Sequence, residues 1–531
     1  VPGAKKPKKN APRGVMTLKA HSPSESKQQK SFAKKLKAAV RKTHPAVFFL
    51  WVIISVYFAL TLSCLYQRYI YLEMKEPTDT AAYIQTAWTV LKGSPYTVTC
   101  QEESAPLNIP HNTLGVQLYF TLALFSPLVL FTSSGVPWLI IQAAIISLAA
   151  VPLFFLAERA LKDNWLALLI TLAYLFNPGT YEAFEKFGFR LETIFIPALF
   201  AMFYFLGKDK YIWAGTSLFV AMLNKHNIIM IAFMLGLYYL IFDRKKWRFG
   251  VYCLVLAIGY YLVGVRGIIY KYQMSEVASF RHFADFGKTP QEVLLNMARH
   301  PAKIFNSISA QEWGFYRRMF LPAGVLALLH PVFWVSLPQL VMNAILRDYH
   351  SVYCAWHWAV VVPFLFVSIV YSMKFILERF GQYKYLKYGL FVLLAVNLLY
   401  NFADYNQNVL AADKDYYYKQ NNIDTSKITD QLAVIEPEAS VLASGQLLWF
   451  LATREKIYVA REQFHDEADY VAILLPLGQV GYVNLDKYFF DALRPSNSTY
   501  LKHFETIVKT PNLLIFKNKN YARIVRDNRG L

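Results

Sequence analysis

The sequence predicts a polytopic α-helical membrane protein with a small α/β domain at its C-terminal end, and three observations predict it. Of its 531 residues, 55% are hydrophobic and only 17% charged, too little charge for a soluble chain of this size. Apolar runs approaching membrane-spanning length recur through residue 404, beginning with "PAVFFLWVIISVYFALTLSCLY" at 45–66. Beyond 404 the pattern changes to short β-branched runs, "ASVLAS", "KIYVA", "DYVAILL" and "FETIVK…NLLIFKN". Helical stretches such as "GQLLWFLATR" and "NLDKYFFDALR" separate them, the alternation expected of a small α/β domain over 405–531.

Residues 1–44 carry thirteen Lys and Arg against one acid, Glu25, so +12 of the net +20 lies before the first span. A tail of this kind abutting a transmembrane run points to a cytoplasmic N-terminus and contact with anionic lipid, not to nucleic acid. Its Lys, Pro and Ser content predicts disorder unless a partner holds it. The first span is longer than the apolar region of a signal peptide, has no small-residue cleavage site behind it, and reads as an uncleaved anchor.

A transmembrane domain is expected over 45–404. Its spans fall near 45–66, 135–157, 164–178, 191–206, 211–225, 226–242, 249–270, 319–330, 332–347, 357–377 and 388–404, about eleven. The shorter ones must tilt or pair as half-helices buried in protein. This threading puts "AERALKDN", "GKDK", "DRKKWR" and "ERFGQYKYLK" in the cytoplasm, where short basic loops belong. It requires "LGVQLYFTLALFSPLVLF" (114–131) to be a re-entrant or interfacial helix broken near Pro127, since a further span would invert every later loop. The first outer loop is then 67–134, the second large one 271–318, and the C-terminal domain is extracytoplasmic.

Cys64, Cys100, Cys253 and Cys354 have no CxxC spacing, so a zinc site is not indicated. In an oxidising compartment a Cys64–Cys100 or Cys100–Cys354 bridge is compatible with the topology, as are buried free thiols.

Polar groups gather on the outer side of this threading. They are Asp79, His111 and Gln117 in the first outer loop, "YEAFEKFGFRLE" (181–192), "NKHN" (224–227), "RHFADF" (281–286) and "DYHSVYCAWHW" (348–358). Ionisable residues at membrane depth are costly and usually line a functional cavity. Taken singly, an acid just outside a span is more often merely solvated, and a lone His or Arg there anchors to headgroups. Gathered in number on one side, such groups point to a functional cavity.

The segments "TDTAAYIQTAW…KGSPY", "LNMARHPAKIF", "LPAGVLALLHPVFWVSLPQLVMNAIL", "AWHWAVVVPFLF" and "EPEASVLAS…REKIYVA…ADYVAIL" carry a resemblance. In order and spacing they resemble the GT-C superfamily of glycosyltransferases, and more closely the bacterial membrane family called domain of unknown function 2079. The resemblance runs over roughly 70–350 and weakly into the C-terminal domain. It implies a GT-C-like fold in a bacterial inner membrane and a polyprenyl-phosphate sugar as donor. It further implies Asp79 as the general base that takes the acceptor hydroxyl proton. The leaving phosphate would need cations, for which Arg190, Lys225, His226, Arg281 and His282 are available. Gln85, Trp88, Tyr96, Gln117, Glu192 and His357 complete the expected substrate site, with Trp88, Tyr96 and Trp358 able to stack on sugar faces.

The departures from that family matter equally. Where relatives read Phe-Asp-Phe-His-x-Glu, this chain has Gly188 and Arg190, keeping Glu192; a later Lys-Glu-Asp has become Lys225, His226 and Asn227; an expected histidine is Gln117. If the replaced acids hold a divalent cation in relatives, this chain is expected to have lost it. Two functions stay open. One is a GT-C-type transferase moving a sugar from a polyprenyl-phosphate carrier to an outer-face acceptor. The other is a catalytically degenerate lipid-binding or structural subunit of a membrane complex, reached by protein partners through the basic tail or the C-terminal domain. A transporter ranks last, for want of internal repeats or an acid within a span.

Overall fold

A computed structural model of the chain describes residues 44–100, 110–273, 283, 285–287, 289–345, 355–383, 385–460, 468–475 and 503–520. The chain divides into two units, 1–49 and 50–531. Of the first only 44–49 are described, and they open the first long helix.

Five described helices are long and apolar enough to cross a membrane: Pro45–Ile70, Val136–Leu161, Arg244–Tyr272, Trp356–Phe380 and Leu386–Asp415. Shorter apolar helices lie between them, among them Asn164–Leu175, Leu191–Leu206, Tyr211–Met222, Ile228–Ile241 and Pro331–Ile345. A twelve-residue helix rises only about 18 Å, short of a hydrocarbon core of about 30 Å. Such helices persist by packing on longer neighbours, as the expected half-helices would. Ile228–Ile241 lies along Arg244–Tyr272 at glycine contacts: a Cβ on Gly236 would come within 3.0 Å of the Gly250 carbonyl oxygen. Small residues let helix backbones approach this closely in lipid.

Two stretches depart from simple spanning helices. The 114–131 run opens in the tight turn Thr113–Gly115 and closes in two four-residue helices, Leu122–Phe125 and Leu128–Phe131, interrupted at Ser126 and Pro127, as the proline predicts. The stretch expected to span at 319–330 instead follows the helix Ala310–Phe320 with tight 3₁₀ turns over Gly324–Leu329. Pro322 and Pro331 bracket those turns and deny an α-helix its hydrogen bonds.

Thr97–Val98 (β1) pairs antiparallel with His111–Asn112 (β2). The C-terminal sheet holds Val441–Ala443 (β3), Ile457–Val459 (β4), Tyr470–Leu474 (β5), Phe504–Lys509 (β6) and Leu513–Asn518 (β7), in the order β4-β3-β5-β7-β6. The first three run parallel, β7 is antiparallel to β5, and β6 is antiparallel to β7. Alternation in the strands decides what each face meets. Leu442, Tyr458, Val471 and Phe516 form one small core. Val441, Ala443, Ile457, Ala472 and Ile515 join a larger core with Ala81, Ile84 and Ala87 of the helix Pro77–Leu91 and with Phe189. The sheet is therefore packed directly against the first loop of the membrane body.

Cys64, Cys100 and Cys253 are free thiols. The Cys64–Cys100 bridge is not formed, because the Cys100 Sγ faces the Gln85 Oε1 at 3.4 Å within the sheet-side core. Cys354 lies outside the described residues.

Candidate functional site

The site forms where helix ends meet. The helix Pro77–Leu91 starts at a proline and carries Asp79 in its first turn, where a carboxylate is favoured by the helix dipole. Asp79 and Tyr83 are four residues apart and share a face. Gln85, on the opposite side, is fully buried and saturated. Its Nε2 donates to Thr99 Oγ1 (2.9 Å) and to the Arg454 and Glu455 carbonyls (3.2 and 3.0 Å), and its Oε1 accepts from the Thr99 N–H (2.9 Å). Gln85 thus binds this helix to the C-terminal sheet region that holds β3 to β7, called the C-terminal unit below, and does not line the Asp79 site.

Arg190 precedes the helix Leu191–Leu206 and is completely buried. Its N–H donates to Gln142 Oε1 (2.8 Å) and its carbonyl accepts from Thr193 Oγ1 (2.6 Å), which fixes the backbone. Its Nη1 donates to the Asp79 carboxylate. The guanidinium lies over the rings of Trp356 (4.2 Å) and Phe187 (5.1 Å). Burial opposes its charge, yet Asp79, with Tyr83 and Glu192 nearby, outweighs burial and holds it protonated above the ordinary arginine value. Nε and Nη2 are buried without a hydrogen-bond partner among the described residues.

Glu192, two residues on, receives Lys225 Nζ at 2.6 Å, with both side chains buried. Its other oxygen, Oε2, has no hydrogen-bond partner among the described residues. Two of the five cations expected for phosphate binding are thus each matched by an acid, Arg190 by Asp79 and Lys225 by Glu192. The sequence suggested a cation excess here; the geometry is two neutral pairs. Among the described residues no group of three or more His, Cys, Asp or Glu side chains comes together to hold a metal ion.

His226 is half-buried beside Lys225; desolvation of the ring first, then Lys225, push its pKa down to about 4. It is a neutral imidazole at neutral pH and adds no positive charge, a correction to its expected role as a cation. The neighbouring Asn227 is engaged by Gln339 (3.0 Å). Gln117 Oε1 accepts from the Tyr119 hydroxyl (2.6 Å), and the Tyr83 hydroxyl donates to that of Tyr119 (3.4 Å). Burial, then the Glu192 and Asp79 charges, raise the Tyr83 pKa well above its ordinary value, so this hydroxyl stays a proton donor. Gln117 is therefore linked through Tyr119 to Tyr83, which shares the helix face of Asp79. Trp88 sits under Lys92 (5.5 Å to the ring), and the Tyr96 hydroxyl donates to the Phe120 carbonyl (3.0 Å). Among the described residues no hydrogen bond or ring contact joins either to Asp79. His357 follows Trp356, whose ring covers Arg190. Arg281 and His282 lie outside the described residues.

Sequence reasoning missed a second charged group on the same 181–192 segment. Glu185 pairs with Arg68, and Glu182 receives Arg318 Nη2 at 2.7 Å. Arg318 also reaches Asp404 Oδ2 (3.0 Å), which accepts from the Tyr181 hydroxyl. Burial, opposed by Arg318, raises the Glu182 carboxyl to about 7. The signal was legible in part: Glu182 and Glu185 are one helical turn apart in a segment rich in aromatics. Their partners, more than a hundred residues away, are set by tertiary structure alone. Trp356, Tyr119 and Gln142 also escaped notice, since an aromatic or amide at a helix end is ordinary in membrane proteins.

Apolar crossing helices and ion pairs gathered at their ends define a polytopic integral membrane protein with a charged site beside its first loop. The chain belongs to the family described as Predicted membrane protein (DUF2079), which matches it over residues 77–487. No curated protein matches it. Among solved structures it is similar to ArnT from Cupriavidus metallidurans bound to undecaprenyl phosphate, with a TM-score of 0.47 at 12% identity, covering 88% of this chain and 97% of that one. The apo state of the same protein matches with a TM-score of 0.44, the identity and coverage being the same.

Proposed function

We propose that this protein is a GT-C-type glycosyltransferase that moves a sugar from a polyprenyl-phosphate donor to an acceptor hydroxyl at the extracytoplasmic face of a bacterial inner membrane. One observation carries the reading. Asp79, a quarter exposed, is paired to a buried arginine that keeps two further N–H-bearing nitrogens, Nε and Nη2, unpartnered beside it. A base and a phosphate ligand thus stand side by side.

The chemistry follows from an exchange of partners. A lipid phosphate arriving at Arg190 takes guanidinium donors that can hold two oxygens at once. Asp79 then loses its counter-charge and gains basicity. It accepts the proton of the acceptor hydroxyl as that oxygen bonds to the anomeric carbon, while the bond from carbon to phosphate oxygen breaks. The phosphate leaves with that electron pair, and Arg190 and Lys225 offset its growing charge. Proton, bond and charge all balance. In this reading the N-terminus is cytoplasmic and the C-terminal unit is extracytoplasmic.

A specific observation favours a second reading, a lipid-binding subunit without turnover. Gly188 stands where the family it resembles carries an acid, and the Trp449 indole fills the space beside it. Such a subunit would bind protein partners through its basic tail or its sheet. The test uses the full chain in nanodiscs with undecaprenyl phosphate and with polyprenyl-phosphate sugars from its own host. The first reading expects wild type to bind the lipid and consume the sugar donor, and Asp79→Asn to bind without turnover. Binding without turnover in wild type selects the second, and absence of binding overturns both.

A further inference from the structure

One buried side chain of the C-terminal unit reaches the charged site without belonging to it. Trp449 is 1% exposed, and its ring lies between glycines from two different connections. A Cβ on Gly135 would come within 2.7 Å of its Cε3, and one on Gly188 within 2.3 Å of its Cη2. Any side chain at either position would collide with the indole. Gly188 also has φ +71, a left-handed conformation that glycine adopts without strain. The ring packs on Tyr69 as well (centroids 5.7 Å apart), and the Gly135 N–H donates to the Tyr69 hydroxyl (3.2 Å). Trp449 is therefore wedged against the end of the first long helix, the start of the 136–161 helix and the turn that leads to Arg190.

That turn has no slack. Two residues after Gly188, the Arg190 backbone is held by Gln142 and Thr193. Between them, the Phe189 carbonyl accepts from Thr80 Oγ1 (3.2 Å), the residue next to Asp79. The opposite face of the Asp79 helix is fastened by Gln85 to the Arg454 and Glu455 carbonyls, five and six residues after Trp449. One short segment, 449–455, thus bears on both halves of the Asp79–Arg190 pair.

We infer that Trp449 is a positioning residue: by wedging against Gly188 it holds the 187–190 turn so that Arg190 meets Asp79, and the site is complete only with the C-terminal unit seated. This rests on reading Asp79 and Arg190 as a polyprenyl-phosphate site. Trp449 touches neither substrate nor reacting atoms in that reading. It acts through the turn.

The test uses the full chain in nanodiscs, as wild type, W449A, W449F and G188A, with R190Q as the binding control. Two measurements are made: hydrogen exchange of the 187–193 amides without ligand, and the affinity for undecaprenyl phosphate. W449A is expected to speed exchange of those amides about tenfold with other helices unchanged, and to weaken lipid binding about tenfold. W449F, which refills most of the space, is expected to restore both. G188A, pushing on the ring from the other side, is expected to reproduce the local exchange and serves if W449A does not fold. Unchanged exchange at 187–193, or an equal rise everywhere, overturns the inference, since a merely structural tryptophan loosens the fold globally. If wild type binds no undecaprenyl phosphate, the proposed function fails, while the exchange result still decides the role of Trp449.

Discussion

Asp79→Asn removes one charge from a pair whose partner cannot reach water. Arg190 is fully buried, whereas the Asp79 side chain keeps 24% of its surface exposed. Breaking a buried pair by neutralising one partner costs about 3–5 kcal/mol, because the survivor stays charged and buried. The substituted amide still offers a carbonyl oxygen, and Trp356 still covers the guanidinium, so the lower end, about 3 kcal/mol, is expected. The converse change is milder. Arg190→Met keeps the apolar contacts and leaves Asp79 able to rehydrate; its cost is mainly the lost stacking on Trp356, about 1–2 kcal/mol. In the double variant no charge remains to be stranded. Its cost is expected to match Arg190→Met alone, a coupling of about 3 kcal/mol in the double-mutant cycle. Equilibrium unfolding in mixed micelles measures all four proteins. Equal costs for the two single variants, or additive costs in the double, would refute the claim that Arg190 is the buried, dependent partner.

Three further outcomes are expected. Lys225→Met strands the Glu192 carboxylate, which is almost fully buried, and should lower unfolding free energy by about 3 kcal/mol in the same assay. Gln85→Ala removes the four hydrogen bonds with Thr99, Arg454 and Glu455; at roughly 1 kcal/mol each it should cost about 4 kcal/mol and speed proteolytic release of the C-terminal unit. The third is a pH dependence. Burial raises the Glu182 carboxyl from 4.5 to about 7 in the folded protein, so between those values the native state holds a proton that the unfolded state has lost. Stability should then fall as pH rises through that window, by about 1.4 kcal/mol per pH unit from this group, and level off above it. Glu182→Gln should flatten that part of the profile relative to wild type; an unchanged slope would mean Glu182 is ionised throughout.

The positions of the apolar helices were legible because lipid admits few solutions: a run such as 45–66 must bury its backbone polar groups within itself. The broken 114–131 run and the strand segments after 404 were legible for similarly local reasons, a proline at 127 and β-branched alternation at 441–443 and 470–474. Asp79, Arg190, Glu192 and Lys225 could also be singled out, since ionisable residues at helix ends stand out in an apolar chain. Their pairing could not. Whether a cation sits beside an acid or beside another cation depends on contacts between residues separated by more than thirty positions, Lys225 with Glu192, and more than a hundred, Arg190 with Asp79. The sequence therefore suggested a positive cleft where the folded chain has two neutral pairs.

Composition and periodicity by themselves determined that this chain is a helical membrane protein, roughly where most of its long apolar helices lie, and that a sheet follows them, because these depend on each segment's own hydrophobicity and hydrogen bonding. Only the tertiary structure decided that Gln85 is a fastener, that His226 is neutral, and that Trp449 stands against Gly188. Those roles arise from burial and from which distant atoms fill the space beside a residue, and neither is a property of local sequence.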